Sequence, residues 1–568
     1  MQNFSQILQQ TALETPERIA IYLLLNGLPA RAITFGELMC GSAGYSHALA
    51  AAGVQPGEVV VLILNHSKDL VYAFYGAVLH GAIPTIMPFL TEKLSPDYYR
   101  ASLAALFEIT SPAAVITYPE FVEEVGVARS AIRCLLVSSQ VSPSAKPDYS
   151  DRAVFGGLDR SPDDVVLLQH SSGTTGLQKG VALSHKAVFN QIESYAEALR
   201  LSPDDTIVSW LPLYHDMGLI AGFILPILKR VPLVLMSPFD WVRAPYKLMQ
   251  AISTYRGTLC WLPNFAYNFC AQKVRPRHLE GVDLSSLRAV INCSEPMHWK
   301  SHQAFLERFR PYGLRPEALA TCYAMAENVF AVTQGGLDKP VTQDRVNQHA
   351  LLTRQAAEPA QDDSLAVKLL SAGRPIRNTH LRVLDANGQD LPDRRVGEIA
   401  LLSDCMLTGY YHRPDLTENA FQDGWYLTGD LGYLAGGELY ITGRKKDLII
   451  VGGKNIYPQD LERLANEVEG VHPGRVVAFG MFDEQAGTEE VVIVAETDDE
   501  DIGRTEHDSL EQGKADAIAE EIRERVTRGS DVALRYVKIV GRNWLLKTSS
   551  GKIARQANHD KYMQESAL

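Results

Sequence analysis

Apolar and polar positions alternate in two rhythms over most of this chain. Short apolar runs closed by turn residues, "EVVVLIL", "VVLLQ", "TIVSW", "PLVLM" and "LRAVI", read as buried strands. Longer amphipathic stretches, "LVYAFYGAVLH", "AVFNQIESYAEAL", "YKLMQAISTY" and "KSHQAFLERF", read as helices. Strand-then-helix alternation lays helices over parallel sheets, so the expected fold class is α/β. After Gly373 the pieces shorten to "HLRVLD", "VGEIALL" and "GELYITG", with turns at "DANG" and "AGG", which predicts a β-rich subdomain over about 373–443. Past "GRKKD" a compact α+β pattern follows: "LIIV", a helix from Pro458 with the proline in its first turn, "RVVAFG", "EVVIVAE", a helix around "AIAEEIRERV", and "VKIV". The boundary is expected at Arg444 to Asp447, giving a large N-terminal body, 1–443, and a small C-terminal domain, 444–568. Two polar stretches, "QAAEPAQDDS" and "TDDEDIGRTEHDSLEQGKADA", read as solvated surface loops.

Length and composition narrow the class. A chain of 568 residues is too long for one core, and 46% apolar with 21% charged residues is the balance of a folded globular protein. A net charge of −13 argues against nucleic acid as a partner. The start has no basic segment followed by an apolar core, and no stretch approaches the roughly 20 apolar residues that span a bilayer, so a cytoplasmic location without a membrane span is expected. Seven cysteines, without a C-x-x-C spacing, read as reduced thiols and not as disulfides or zinc ligands.

The chemistry gathers at "HSSGTTGLQKG", His170 to Gly180. Glycines permit close backbone approach, hydroxyls add donors and Lys179 adds positive charge, which together suit phosphate. The stretch follows "VVLLQ" and precedes a helical pattern, so its backbone N–H groups can converge on an anion. Because Gly180 follows Lys179, the Walker A spacing is absent and a simple P-loop NTPase is disfavoured.

Further segments occur in a fixed order: "WLPLYHDMGL", "NCSEP", "CYAMAE", "WYLTGDLG", "GRKKDLIIVGGKNIYPQDLE" and "KTSSGKIAR". With the glycine-rich loop they resemble the adenylate-forming, acyl-activating superfamily over nearly the whole chain. The resemblance implies that a carboxylate and ATP form acyl-AMP and pyrophosphate. It makes Lys552 the catalytic lysine, delivered by a glycine-flanked loop to the charge developing at the α-phosphate. It makes Glu327 a ligand of Mg2+, aided by the Thr175 hydroxyl. Ser171, Ser172, Gly173, Thr174, Thr175, Gly176 and Lys179 would hold the phosphates, and Ser294, Glu295 and Pro296 would frame the adenine. Tyr323, followed by Ala324 and Met325, would lie against the base, Asp430 would accept the ribose hydroxyls, and Arg444 would contact ribose or phosphate. The small domain would rotate about Lys446 between adenylation and transfer to a thiol.

His215, counted with Lys552 and Glu327 among the catalytic candidates, stands where amino-acid-activating relatives usually place an aspartate, which disfavours a free amino acid. The chain departs from the family's usual residues at Gln178, Ala324 and Leu546; the prolines missing at Gln178 and Leu546 are expected to loosen their loops. "MGLIAGFILP" and "CWLPNFAYNFC" either line an acyl pocket or are core, with core the commoner outcome. The long segment after Glu327, together with "WLPLYHDMGL", "PNFAY", "CSEP" and "YPQDLE", is similar to fatty acyl-AMP ligases. These transfer a fatty or other apolar acyl group to the phosphopantetheine of an acyl carrier protein. "VGGKNIYP" is nearer to acyl-CoA or aryl-CoA ligases, which use coenzyme A, and that alternative stays open. Two other readings, a silent nucleotide-binding protein and a light-emitting oxidative relative, rank lower: the first would be expected to lose Lys552 or Glu327, and the second is a rare chemistry.

Overall fold

The computed structural model of the protein describes residues 2–25, 27–90, 96–126, 132–145, 147–171, 179–362, 366–451, 454–483, 488–498, 509–530, 534–548 and 551–566. A nine-stranded sheet runs through the large body in the order Arg374–Pro375, Ala331–Gly335, Leu319–Ala324, Ala289–Asn292, Leu259–Leu262, Ile207–Ser209, Leu233–Met236, Ile19–Leu24, Arg31–Thr34. Its interior strands pair in parallel and only the pairings towards its two edges are antiparallel. A second sheet, Ile83–Ile86, Val59–Ile63, Ala114–Thr117 and Cys134–Val137, is parallel throughout. The α/β class expected from the alternation is therefore the class observed. The run "VVVLI" is buried at every position, as a strand covered on both faces must be.

Helices Phe35–Ala51 and Lys68–His80 cross in close contact because glycines stand where they meet. A Cβ on Gly41 would lie 2.5 Å from the Tyr72 ring, and one on Gly76 would lie 2.5 Å from Cβ of Tyr45. The first helix is capped by Thr34, whose hydroxyl accepts from the Glu37 amide at 3.2 Å. One apolar core runs from Phe4 to Leu439, while the residues beyond Asp447 pack about their own clusters, centred on Ile449–Leu534 and on Val477–Tyr562. In that last region strands Val471–Asp483, Thr488–Thr497 and Tyr536–Val540 form one sheet, flanked by helices Pro458–Ala465, Ser509–Ser530 and Arg555–Ser566.

Two expectations change, and one segment gains detail. The glycine-rich loop does not run from a strand into a helix: strand Lys179–Ser184 intervenes, pairs antiparallel with Val165–Ser171, and only then leads into helix His185–Ala198. The second polar stretch, read as a surface loop, is helical from Ser509 onwards. The long segment after Glu327 carries structure of its own, an antiparallel pair Gln343–Asn347 and Ala366–Leu370 with helix Gln348–Arg354 between them.

Candidate active site

Asp430 lies in strand Trp425–Ala435, directly opposite Arg444 on the neighbouring strand Glu438–Arg444. That register aims the Arg444 Nε at Oδ1 of Asp430, 3.1 Å away, while the Tyr323 hydroxyl donates to Oδ2 at 2.5 Å. Tyr323 comes from strand Leu319–Ala324 of the main sheet, so three strands converge on one carboxylate that is only 8% exposed. Burial beside this carboxylate pushes the Tyr323 phenol well up, which keeps it a donor. Each Asp430 oxygen has a second lone pair, the acceptor capacity that a ribose diol needs. Ala324 and Met325, both half-buried, continue the chain from Tyr323 towards Glu327.

Glu327 sits in a short turn, Ala326–Asn328, with its Oε1 accepting the Tyr410 hydroxyl at 2.9 Å. Tyr410 and Tyr426 hydroxyls are 3.0 Å apart, and the Lys179 ammonium lies 4.8 Å from the centre of the Tyr410 ring. Burial raises the Glu327 carboxyl, the Asp216 charge adds to that, and Tyr410 and Lys179 oppose it. The turn is strained: fully buried Val329 has φ 62° and ψ −54°, a conformation unusual for a β-branched residue, and the Phe330 amide donates to the Asn328 carbonyl at 2.6 Å to close a γ-turn. Neighbouring bonds hold it, from Asn328 Nδ2 to the Ala331 carbonyl at 2.7 Å and from the Phe330 amide to Oε1 of Gln191 at 3.1 Å.

The third group centres on Asp216. Its Oδ1 lies 2.6 Å from Nδ1 of His215 and accepts the Met217 amide at 2.7 Å, capping a wide-turned π-helix over Met217–Ile224. Gly218 in that helix is obligatory, since a Cβ there would come within 2.2 Å of the Pro212 carbonyl oxygen. Burial raises the Asp216 carboxyl, but His215, Lys552 and the Met217 amide outweigh it, so the group is held below its ordinary value. Glu295 accepts the Phe265 amide at 2.9 Å, after Ser294 turns the chain through φ 68°, with Pro296 exposed beyond.

Lys552 reaches this group from the C-terminal region. Burial lowers its ammonium, Asp216 raises it, Arg444 lowers it and Glu295 raises it, so the charges of these side chains act on Lys552. Its loop is a narrow hairpin: Lys547 and Ile553 are bridged, the Thr548 amide donates to the Lys552 carbonyl at 2.8 Å, and the Ala554 amide donates to the Leu546 carbonyl at 3.0 Å. Fully buried Asn558 clamps the base, its Oδ1 accepting the Leu546 amide at 2.7 Å and its Nδ2 donating to the Leu546 and Ala554 carbonyls, both at 2.9 Å. The missing proline at Leu546 therefore does not loosen the loop, because leucine supplies an N–H that proline lacks and the clamp uses it.

The structure thus brings Lys179, His215, Glu295, Tyr323, Glu327, Asp430, Arg444 and Lys552 to one place. Lys446 lies beside them in the turn Lys445–Asp447, its ammonium lowered by burial and by Arg444 and raised by Asp447 and Asp430. Ser171 closes the hairpin opposite Lys179. Ser172, Gly173, Thr174, Thr175, Gly176 and Gln178 lie outside the described residues. Asp216 and Tyr410 are the site residues that sequence reasoning missed: Asp216 stood inside the quoted "WLPLYHDMGL", whereas Tyr410 has no local signal. "MGLIAGFILP" is buried throughout, the core outcome, and the adjacent apolar cavity is lined instead by Leu64, Leu70, Met87, Phe89, Leu213 and Phe239. All seven cysteines are free.

Residues 8–411 match the AMP-binding enzyme family. The chain is 29% identical to the long-chain-fatty-acid–AMP ligase FadD26 of Mycobacterium bovis, over 98% of this chain and 97% of that one. It is 30% identical to a Caulobacter vibrioides protein described as an acyl-CoA synthetase, over 95% and 92%. A solved structure from work on fatty acyl-adenylate ligases of E. coli and L. pneumophila superposes with a TM-score of 0.88 at 25% identity, covering 100% of this chain and 99% of that one. Since the family match takes in the Glu327 turn and the Tyr410 hydroxyl, and the fold carries on through the Lys552 hairpin, the chain belongs to the family of AMP-binding enzymes.

Proposed function

We propose that this enzyme joins a fatty or other apolar carboxylic acid to ATP, releases pyrophosphate, and passes the acyl group from acyl-AMP to the phosphopantetheine thiol of an acyl carrier protein in the cytoplasm. No helix among the described residues is long and apolar enough to cross a membrane. The observation that carries the reading is the buried Asp430 carboxylate held by Tyr323 and Arg444, with the charges of Asp216, Arg444 and Glu295 acting on Lys552.

In the first step a carboxylate oxygen attacks the α-phosphorus, and the bond to the bridging oxygen of the departing pyrophosphate breaks. Negative charge gathers on the α-phosphoryl oxygens, and the Lys552 ammonium, with Arg444 nearby, stabilises it in a pocket where water's screening is reduced. Asp216 and Glu295 offset part of the cost of burying the Lys552 ammonium. Asp430 holds the ribose, Ser294 to Pro296 frame the base, and Ser171 to Gly176 with Lys179 receive the phosphates.

Glu327 suits Mg2+, which prefers one or two carboxylates together with phosphate oxygens and water. No group of three or more His, Cys, Asp or Glu side chains able to hold a metal ion occurs among the described residues, so Glu327 and Thr175 would share the ion with the nucleotide. The ion would neutralise phosphate charge when bound.

The carrier protein is favoured over coenzyme A by the segment after Glu327. Gln348, at the start of its helix, donates through Nε2 to the Gly529 carbonyl at 2.7 Å and so ties that segment to the end of helix Ser509–Ser530. This is a restraint on rotation about Lys446. The relative described as an acyl-CoA synthetase supports the second reading, a coenzyme A ligase. Offering purified enzyme, ATP and a panel of fatty acids to each acceptor separates the two. Efficient acyl-CoA formation overturns the carrier reading, and the absence of acid-dependent pyrophosphate release overturns adenylation itself.

A further inference from the structure

The last residue of "KTSSGKIAR" has no part in the chemistry above, yet it is among the most heavily bonded side chains of the C-terminal region. Arg555 opens helix Arg555–Ser566 three positions after Lys552. Its Nη1 donates to Oδ2 of Asp447 at 2.7 Å, its Nη2 to Oε1 of Glu462 at 2.6 Å, and its Nε to the Ala478 carbonyl at 2.8 Å. Glu462 in turn accepts the Ala478 amide at 2.9 Å. The three side chains are only 16 to 19% exposed, so the fork is shielded and specific in direction.

These partners are not scattered. Asp447 closes the turn that contains Lys446, and three residues before it Arg444 holds Asp430. Glu462 belongs to helix Pro458–Ala465, and Ala478 to the edge strand Val471–Asp483. One guanidinium therefore joins the turn at Lys446, a helix, a strand and the base of the Lys552 hairpin. We propose that Arg555 is a positioning residue of the adenylation step: by bridging Asp447 and Glu462 it makes the turn at Lys446 and the Lys552 hairpin one rigid piece, so that Lys552 arrives in register with the Arg444–Asp430 pair. Lysine cannot take its place, because a single ammonium lacks the planar fork that reaches both carboxylates and the carbonyl together. The inference rests on the catalytic assignment of Lys552.

The test compares the two half-reactions in Arg555→Met, Arg555→Lys, Asp447→Asn and the Met/Asn double variant, with Lys552→Ala as reference. Acid-dependent pyrophosphate exchange reads the first half, and transfer of a synthetic acyl-adenylate to carrier thiol reads the second. Misplacing a charge by about 1 Å costs on the order of 100-fold, so Arg555→Met should lower kcat of exchange about 10- to 100-fold while KM for ATP and the transfer rate change less than about threefold. Arg555→Lys should recover only part of the loss, and the double variant should be no worse than Arg555→Met alone. The inference is overturned by an unchanged kcat, by full recovery with lysine, by additive losses, or by equal decline of both half-reactions with a lowered melting temperature. Asp447→Asn, which keeps the shape of the side chain, supplies the same comparison if Arg555→Met fails to fold. If Lys552→Ala itself leaves exchange intact, it is the catalytic assignment that falls.

Discussion

Replacing Leu546 by proline would restore the residue its family usually carries, and the general expectation for such a change is a gain of about 0.4–1 kcal/mol from a stiffer unfolded chain. The structure reverses the sign. The Leu546 amide donates to Oδ1 of Asn558 at 2.7 Å, and Asn558 has no exposure to water that could replace the bond. Proline removes that N–H and strands a buried acceptor, a cost of about 1–3 kcal/mol. Taking the middle of each range, about 2 less about 0.7 kcal/mol, leaves a net local destabilisation of about 1.3 kcal/mol, and 1.4 kcal/mol corresponds to roughly tenfold in an equilibrium constant. Because a chain of this size does not unfold in one step, global melting is a poor gauge. Hydrogen exchange followed by mass spectrometry over 541–566 is the direct one: protection in helix Arg555–Ser566 should fall about 5- to 30-fold, with exchange in the main sheet unchanged. Pyrophosphate exchange should weaken alongside it, as the Lys552 hairpin loses its clamp. Equal or increased protection in Leu546→Pro would refute the idea that Asn558 does the work of the missing proline.

Lys552→Ala should abolish most acid-dependent pyrophosphate exchange, by about 100-fold or more, while ATP binding by calorimetry stays within a few-fold; equal loss of both would remove the role given to Lys552. Adenylation needs Lys552 protonated, and its ammonium is lowered from the ordinary lysine range, so the rate should decline on the alkaline side at a pH below that range. Asp216→Asn removes a charge that raises Lys552 and should move this decline to lower pH in a kcat/KM profile; a shift to higher pH contradicts the placement. Gln348→Ala breaks the bond to the Gly529 carbonyl and should raise transfer to coenzyme A a few-fold if the segment restrains rotation, measured as acyl-CoA formed from preformed adenylate. Cutting out 339–363 is a poorer test. Asp344 in that stretch receives Arg394 at 3.0 Å and the Tyr433 hydroxyl at 2.8 Å, and its loss should cost about 1–3 kcal/mol, visible as a lowered unfolding temperature.

The strands and helices were legible where burial enforces a rhythm. "VVVLI" is buried at every position, helix Lys68–His80 is buried from Leu70 to His80, and Pro458 does start its helix. The misses share a cause. Strand Lys179–Ser184 goes unassigned in the sequence because five of its six residues are buried, a pattern that periodicity alone cannot assign to strand or helix. Helix Ser509–Ser530 continues a polar, charged stretch and offers no clear apolar face at its start for a sequence reading to follow. The site divides along the same line. Lys552, Glu327 and Asp430 stand in short motifs and are proposed from them, whereas the groups that surround them come from elsewhere in the chain. Tyr410 meets Glu327 across 83 residues and Arg555 meets Asp447 across 108, and no local pattern marks such pairs. Asp216 is the instructive exception: it was in plain view beside His215, but only the fold shows that its charge acts on Lys552. A motif thus names the group that performs a step, while the charge state and direction of that group are set by tertiary neighbours. Substitutions at Asp216, Asn558 and Arg555 should accordingly alter the pH dependence and rate of a reaction whose motif residues remain untouched.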